Sequence, residues 1–96
     1  MAEPREWVTT EWALWPPPER DAHTPITVSR MWQRDGSALF AVRWRGRCLN
    51  DDGEWEWEPI PSSRDAAFMA RCRFTSLGET MLRAERAAIE TEAYDG

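Results

Sequence analysis

The segment RWRGRCLNDDGEWEWEP, residues 43–59, has the residue types and spacing of a charged binding surface, or of two strands matched against each other. Arg43, Arg45 and Arg47 alternate before an acidic turn, and glutamate alternates with tryptophan at 54–58. Such guanidinium groups could bind phosphate or RNA, because arginine forms bidentate and stacking contacts. The neighbouring glutamates cancel much of the positive field on which affinity for nucleic acid depends. We therefore favour matched strands and keep nucleic-acid binding as the alternative.

Pairing across this hairpin would sort its side chains by chemistry. A four-residue loop places Arg47 opposite Glu56, and a two-residue loop places it opposite Glu58. Either register puts the arginines and glutamates on one face. The other face then carries Trp44, Cys48, Trp55 and Trp57. A slip of one residue would set arginine against tryptophan and destroy this segregation, because side chains alternate between faces along a strand.

Residues that could carry catalysis or bind a metal are few and scattered. His23 is the only histidine, and it stands in a predicted loop. Together with Cys48 and Cys72 it cannot complete the four ligands of a structural zinc site. No phosphate loop, dinucleotide motif or nucleophile elbow occurs. We therefore expect a protein that is not an enzyme, has no cofactor, metal or small-molecule substrate, and buries both cysteines as free thiols.

Tryptophans left outside the predicted core point to a partner. The chain has seven tryptophans in 96 residues. Tryptophan and arginine are the residues that most often dominate protein-binding energy. The N-terminal tryptophans could instead fold back and cover one face of the sheet, and the sequence leaves both readings open. The predicted partner-binding residues are Trp7, Trp12, Trp15, Arg30, Trp32, Arg43, Arg45 and Arg47.

The elements that must position these residues form an α+β domain with a three-stranded antiparallel meander. Its strands are predicted at residues 26–33, 38–48 and 54–60. The dipeptide Asp35-Gly36 predicts a two-residue hairpin turn between the first two strands. That turn would place Phe40 and Val42 on the tryptophan face, opposite Met31 and Ser29. Trp32, Arg30 and Val28 would then share the arginine face, directed away from the helices.

Two helices should follow the sheet and pack on its tryptophan face. The first helix begins with Ser62 or Ser63 as N-cap. The second helix begins with a capping box at Ser76, and this helix is predicted to end at about Glu92. The apolar stripe of the second helix is predicted to comprise Leu77, Met81, Leu82, Ala84, Ala88 and Ile89. The whole chain, 1–96, is then one domain with an irregular Trp/Pro-rich arm at 1–25, the meander at 26–60 and helices at 62–92.

Composition limits the setting in which such a domain works. The net charge of −5 argues against a general nucleic-acid or membrane-surface binder. No signal peptide or bilayer-spanning run occurs, so we expect a cytoplasmic protein. Twelve arginines and no lysine indicate a high-GC genome, actinobacterial or that of a phage. The predicted function is a small non-enzymatic interaction protein, phage-encoded or an accessory modulator of a bacterial protein, that binds a partner or itself as a homodimer.

Overall fold

The structure, a computed structural model, describes residues 9–15 and 24–90 and consists of one antiparallel sheet and two helices. Five strands pair in chain order. They are β1 (Glu11–Leu14), β2 (Ile26–Trp32), β3 (Ala38–Trp44), β4 (Arg47–Leu49) and β5 (Trp55–Trp57). A 3-10 turn at Pro61–Ser63 precedes α1 (Ala66–Cys72) and α2 (Leu77–Glu90). The α+β class is confirmed, whereas the prediction of three strands is wrong.

The two additional strands have different origins. β1 lies in the arm that was predicted to be irregular, and it pairs with β2 so that Trp12 lies opposite Val28. β4 exists because the predicted strand at 38–48 is divided by a two-residue turn at Arg45-Gly46, so that Trp44 pairs with Arg47. Both residues of this turn have positive φ, 50° and 76°. That backbone is the type I′ geometry of tight hairpins.

Each of the two predicted hairpin loops contains one residue more than expected. In the first, Arg30 pairs with Phe40, so the loop has three residues between Gln33 and Ser37. In the second, Arg47 pairs with Trp57, so five residues separate the paired strands. One extra residue reverses which side chains share a face. The predicted pairing of arginine with glutamate is therefore wrong, and the arginine lies against tryptophan.

α2 covers the face of the sheet that carries the apolar residues of β1, β2 and β3. The core on this face includes Ile26, Val28, Val42, Trp44, Leu49, Phe74, Ala84 and Ala87. Within α2, Thr80, Ala84 and Ala87 are buried, while Leu82 and Ile89 are 65% and 79% exposed. The helix thus contacts the sheet through a narrower stripe than predicted, built from small residues that let it approach closely.

α1 contacts the opposite face of the sheet, so the prediction that both helices pack on one face is wrong. Cys48 neighbours Leu49 on β4 and must point the other way, because side chains alternate along a strand. Leu49 belongs to the core under α2, whereas Cys48 forms a second cluster with Phe68 and Cys72 of α1. Phe74, between the helices, exchanges two backbone hydrogen bonds with Phe40 at the edge of β3. The chain crosses from one face to the other at that point.

The helix starts depend on side-chain caps. Asp65, not Ser62 or Ser63, caps α1 by accepting a hydrogen bond from the Phe68 amide at 2.8 Å. Ser76 caps α2 as predicted, accepting from the Glu79 amide at 3.2 Å. The predicted end of this helix near Glu92 lies outside the described residues. Neither helix in the described part of the chain is long and apolar enough to cross a bilayer.

Candidate interaction surface

The β3–β4 turn presents arginine in a backbone conformation that arginine rarely adopts. Arg45 is the only non-glycine residue with positive φ among the described residues. A left-handed conformation costs a residue with a side chain roughly 1–2 kcal/mol, which is why asparagine, aspartate and glycine dominate such turns. Strain of this kind tends to occur at functional sites. The turn is thus the first feature that sets this end of the sheet apart.

Two arginine–tryptophan stacks flank the turn. The Arg45 guanidinium lies 4.7 Å from the centroid of the Trp44 ring, and the Arg47 guanidinium lies 4.6 Å from that of Trp57. Trp44 is 9% exposed, while Trp57 is 71% exposed. Trp57 was predicted to lie in the core, and that prediction is wrong. Its register places it on the face that α2 covers, but the main contacts of α2 are with β1, β2 and β3, and the Trp57 ring remains exposed.

A shallow pocket of about 170 Å³ lies between the start of β2 and the β3–β4 turn. Its charged lining comprises Arg43, Arg45, Arg47 and Glu58. The structure therefore brings together the three arginines that alternate in the sequence, although they do not share one strand or one face. Neither the Arg45 side chain nor the Arg47 side chain forms a hydrogen bond or ion pair with another residue that the structure describes. Among residues 9–15 and 24–90, no carboxylate compensates their positive charges.

Glu58 anchors the base of this pocket. Its carboxylate pairs with Arg43 at 2.9 Å and with the buried guanidinium of Arg73, and Arg64 lies 3.8 Å away. Burial raises the pKa of Glu58, but hydrogen bonds from Arg43 and Arg73 outweigh that effect and keep the pKa below its ordinary value. The carboxylate is therefore ionised near neutral pH and fully engaged by arginine. It fixes Arg43 and offers no proton for acid catalysis.

A second contact fixes β5 to α1. Glu56 accepts hydrogen bonds from Arg71 at 3.0 Å and from the Asn50 amide at 2.9 Å. The hydrogen bond from Arg71 is the main cause that lowers the pKa of Glu56 to about 2. Beneath this pair, Cys48 and Cys72 are buried free thiols, as predicted. Burial raises the pKa of Cys72 to about 12, which removes the thiolate needed for nucleophilic chemistry.

Arg30 forms a different kind of cluster at the other end of the sheet. Its guanidinium lies 5.3 Å from the Trp12 ring centroid, 5.6 Å from Trp32 and 5.4 Å from Phe40. The Arg30 Nε is buried and has no partner among the described residues. We call these four residues the Arg30 cluster. Trp32 stands at its margin and is 57% exposed, on the face of α2 and not on the opposite face as predicted.

The predicted binding residues therefore fall into separate groups. Arg43, Arg45 and Arg47 meet at the pocket, whereas Trp12, Arg30 and Trp32 meet in the Arg30 cluster. Trp15 is 62% exposed just after β1, and Trp7 lies outside the described residues. Sequence reasoning missed Trp57. Trp57 lies in the last strand of the meander, two residues before Pro59. Both features indicate an open sheet edge, and they could have identified Trp57 as exposed.

Other features offer less chemistry. A pocket of about 250 Å³ between the turn after β4 and α2 is lined by both carboxylates and guanidinium groups, so its charges largely compensate each other. Within residues 9–15 and 24–90, no three His, Cys, Asp or Glu side chains are grouped as metal ligands, and His23 lies outside those ranges. Comparison of the chain with protein-family models, curated proteins and solved structures found no match.

Proposed function

We propose that this protein is a small non-enzymatic interaction module that binds a protein partner through Arg45, Arg47 and Trp57, the hairpin surface. One observation carries the proposal: Trp57 is the most exposed tryptophan among the described residues, and Arg47 stacks on it. An exposed indole is costly in water unless it serves a contact, and tryptophan and arginine are the leading anchors of protein interfaces. Stacking also restricts the ring before binding, which reduces the entropy lost on association.

The packing around the hairpin surface supports the same role. Trp57 is 71% exposed and does not belong to the core under α2, so little of its ring contributes to the packing of the fold. Trp44 belongs to that core, and Trp55 packs against it. The two ring centroids are 5.5 Å apart, and these contacts attach the hairpin to the rest of the fold. A rigid base with an exposed aromatic at its edge is a suitable arrangement for partner binding. Trp32, at the far end of the sheet, is a secondary contact in this proposal.

Site-specific photo-crosslinking tests the proposal. A photoreactive phenylalanine analogue at position 57, in protein expressed in its native host, should crosslink to a defined protein. The same analogue at Glu85, exposed on α2, is the matched control. Trp57→Ala should then weaken the purified complex by roughly 2 kcal/mol or more. Equal crosslinking from both positions, or unchanged affinity of Trp57→Ala, would contradict the proposal. A crosslink to a second copy identifies the self-association form, which sedimentation would verify.

Nucleic-acid association is the second candidate, and the uncompensated charge of Arg45 and Arg47 is the observation that favours it. Exposed Trp57 beside these arginines could stack on a base. The net charge of −5 opposes it, because binding to a phosphate backbone depends on excess positive charge. Steeply salt-dependent binding of single-stranded DNA or RNA, lost when both arginines become glutamine, would place this candidate first. The proposal also includes a phage-encoded or accessory bacterial role. The support for that role is the arginine-rich, lysine-free composition of the chain.

A further inference from the structure

We infer that the pocket beside the β3–β4 turn is a carboxylate-binding subsite, so that the partner of the hairpin surface presents an acidic segment with a glutamate or aspartate at this point. This inference rests on the proposed function and specifies the partner's chemistry. Arg45 and Arg47 supply the N–H donors. Arg43 and Glu58 complete the charged lining, and Trp57 contacts Arg47.

The N–H donors of Arg45 and Arg47 are available because neither side chain donates to another residue within the described ranges. Each guanidinium lies over an indole ring, with its central carbon 4.7 Å and 4.6 Å from the ring centroids of Trp44 and Trp57. This cation–π contact is electrostatic and does not require the N–H groups to donate. A guanidinium with free N–H groups can donate paired hydrogen bonds to a planar carboxylate.

Arg43 behaves differently and shows why the pocket retains positive charge. It is held by Glu58, with its Nε 2.9 Å from Oε2. The same carboxylate also pairs with Arg73. One carboxylate therefore serves several arginines, so arginines outnumber carboxylates in the described lining of this pocket, although the net charge of the chain is negative. This local positive charge would attract an acidic partner.

A carboxylate fits better than the phosphates of a nucleic acid. The pocket of about 170 Å³ accommodates one small group and not a continuous backbone. The Glu58 carboxylate in its wall repels any further negative charge, which disfavours a chain of several phosphates more than one carboxylate. A polyphosphate chain would also have to follow a positively charged path, and affinity for such a chain rises with the number of phosphates neutralised. The described surface supplies two free guanidinium groups at this place.

The test uses the ¹⁵N-labelled full chain and an acetylated, amidated oligoglutamate peptide as the probe. We expect saturable shifts of the Arg45 and Arg47 Nε–H signals and of the Trp57 indole N–H. The double variant Arg45→Gln/Arg47→Gln should lose about tenfold or more in affinity, as expected for charge-assisted hydrogen bonds. Raising salt from about 50 to about 300 mM should weaken binding, since these charges are exposed. Retained dispersion of the amide spectrum verifies that the variant folds.

Matched controls decide the interpretation. Arg34→Gln removes one positive charge from the exposed β2–β3 loop and should leave the affinity unchanged, whereas Arg45→Gln and Arg47→Gln, each made alone, should weaken it. A neutral oligoglutamine peptide should shift none of the three signals. The inference is overturned if oligoglutamine binds equally, if Arg34→Gln weakens binding as much as the double variant, or if oligoglutamate shifts nothing. Tighter binding of oligothymidylate or inorganic phosphate than of oligoglutamate at the same signals overturns it as well.

The two proposals fail separately. A crosslinked partner that binds through Trp57, together with no response to oligoglutamate, removes the carboxylate subsite and keeps the interaction function. Saturable oligoglutamate binding at Arg45 and Arg47, together with no specific crosslink from position 57, keeps the subsite and removes the function.

Discussion

The Arg30 cluster and the hairpin surface use the same residue types at opposite ends of one sheet. Arg30 contacts three aromatic rings, and its Nε is sealed from solvent. Arg47 contacts a single ring, that of Trp57, which is 71% exposed. The seven residues of β3 separate the two ends by about 20 Å. Two arginine–tryptophan contacts of similar distance thus have different surroundings.

The difference shows that burial, and not the contact itself, decides what such a pair does. In the Arg30 cluster the guanidinium packs between rings from three strands, so it contributes to holding β1 on the sheet. At the hairpin surface the main contacts of α2 are with other strands and Trp57 is 71% exposed, so the stack is open to a partner. Desolvation also strengthens a cation–π contact, from about 0.5–1 kcal/mol when exposed to about 2 kcal/mol when buried. The two ends should therefore respond differently to substitution.

The largest expected effect contrasts two tryptophans of the hairpin region. Trp44→Ala should cost about 3–5 kcal/mol of the free energy of unfolding, because it leaves a cavity in the core. Trp57→Ala should cost less than about 1 kcal/mol, because that ring is largely in water. Urea unfolding of both variants measures the contrast. Trp44→Phe is the control and should retain much of the lost stability. Equal losses for Trp44→Ala and Trp57→Ala would show that Trp57 belongs to the core.

The next effect compares the two arginines directly. Arg30→Ala should destabilise the protein by about 1–3 kcal/mol, through lost packing and cation–π contact with three rings. Arg47→Ala should change stability by less than about 1 kcal/mol. Arg30→Met is the matched control, since it keeps an unbranched apolar stem and removes the buried Nε that has no partner. If Arg47→Ala proves the more damaging of the two, the assignment of one end to structure and the other to binding is reversed.

A smaller effect concerns the strained turn. Arg45→Asn should be more stable than Arg45→Ala by about 0.5–1 kcal/mol, because asparagine tolerates positive φ and both variants lose the same stack on Trp44. At Arg34, whose φ is not positive, the same two substitutions should differ by less than about 0.5 kcal/mol. Thermal unfolding of the four variants provides the measurement. Identical stabilities of Arg45→Asn and Arg45→Ala would mean that the turn carries no strain.

The smallest effect is a pH dependence confined to the hairpin end. The pKa of Glu56 is lowered to about 2 in the folded state, from an ordinary value of 4.5. Its pairing with Arg71 therefore stabilises the fold fully above pH 4.5, and that contribution is lost as the pH falls towards about 2. The melting temperature of Glu56→Gln should drop less between pH 5 and about 2.5 than that of the wild type. Glu85→Gln, exposed on α2, should follow the wild type.

Much of the fold can be read from local sequence signals. The α+β class, a strand beginning at 26, a strand beginning at 38, a turn after Leu49 and the Ser76 cap all follow from β-propensity, turn residues and capping chemistry, although the strand predicted over 38–48 is divided in the structure. The free cysteines and the buried Trp44 follow as well. The strand at Glu11–Leu14 was visible only as a weak pattern. Its assignment as a strand depends on pairing with β2.

The candidate site could be predicted in residue type but not in arrangement. The sequence indicated Arg43, Arg45 and Arg47 as binding residues, and they do line one pocket. It did not indicate Trp57, because the parity argument placed every tryptophan of the hairpin in the core. Exposure of Trp57 depends on which strands α2 covers, and no local pattern contains that information.

The sequence by itself determined the α+β class, the β2–β3 hairpin and the start of α2 at Ser76, because turn and cap chemistry act over a few residues. Only the tertiary structure decided which side chains share a face and which faces are covered. Side chains alternate with period two, so the choice between a two-residue and a three-residue loop before Ser37 moves Arg30 from one face to the other. The exposure of Trp57 depends on which strands α2 covers, and the burial of the Arg30 Nε depends on rings from three strands, both of which are contacts between residues distant in the chain.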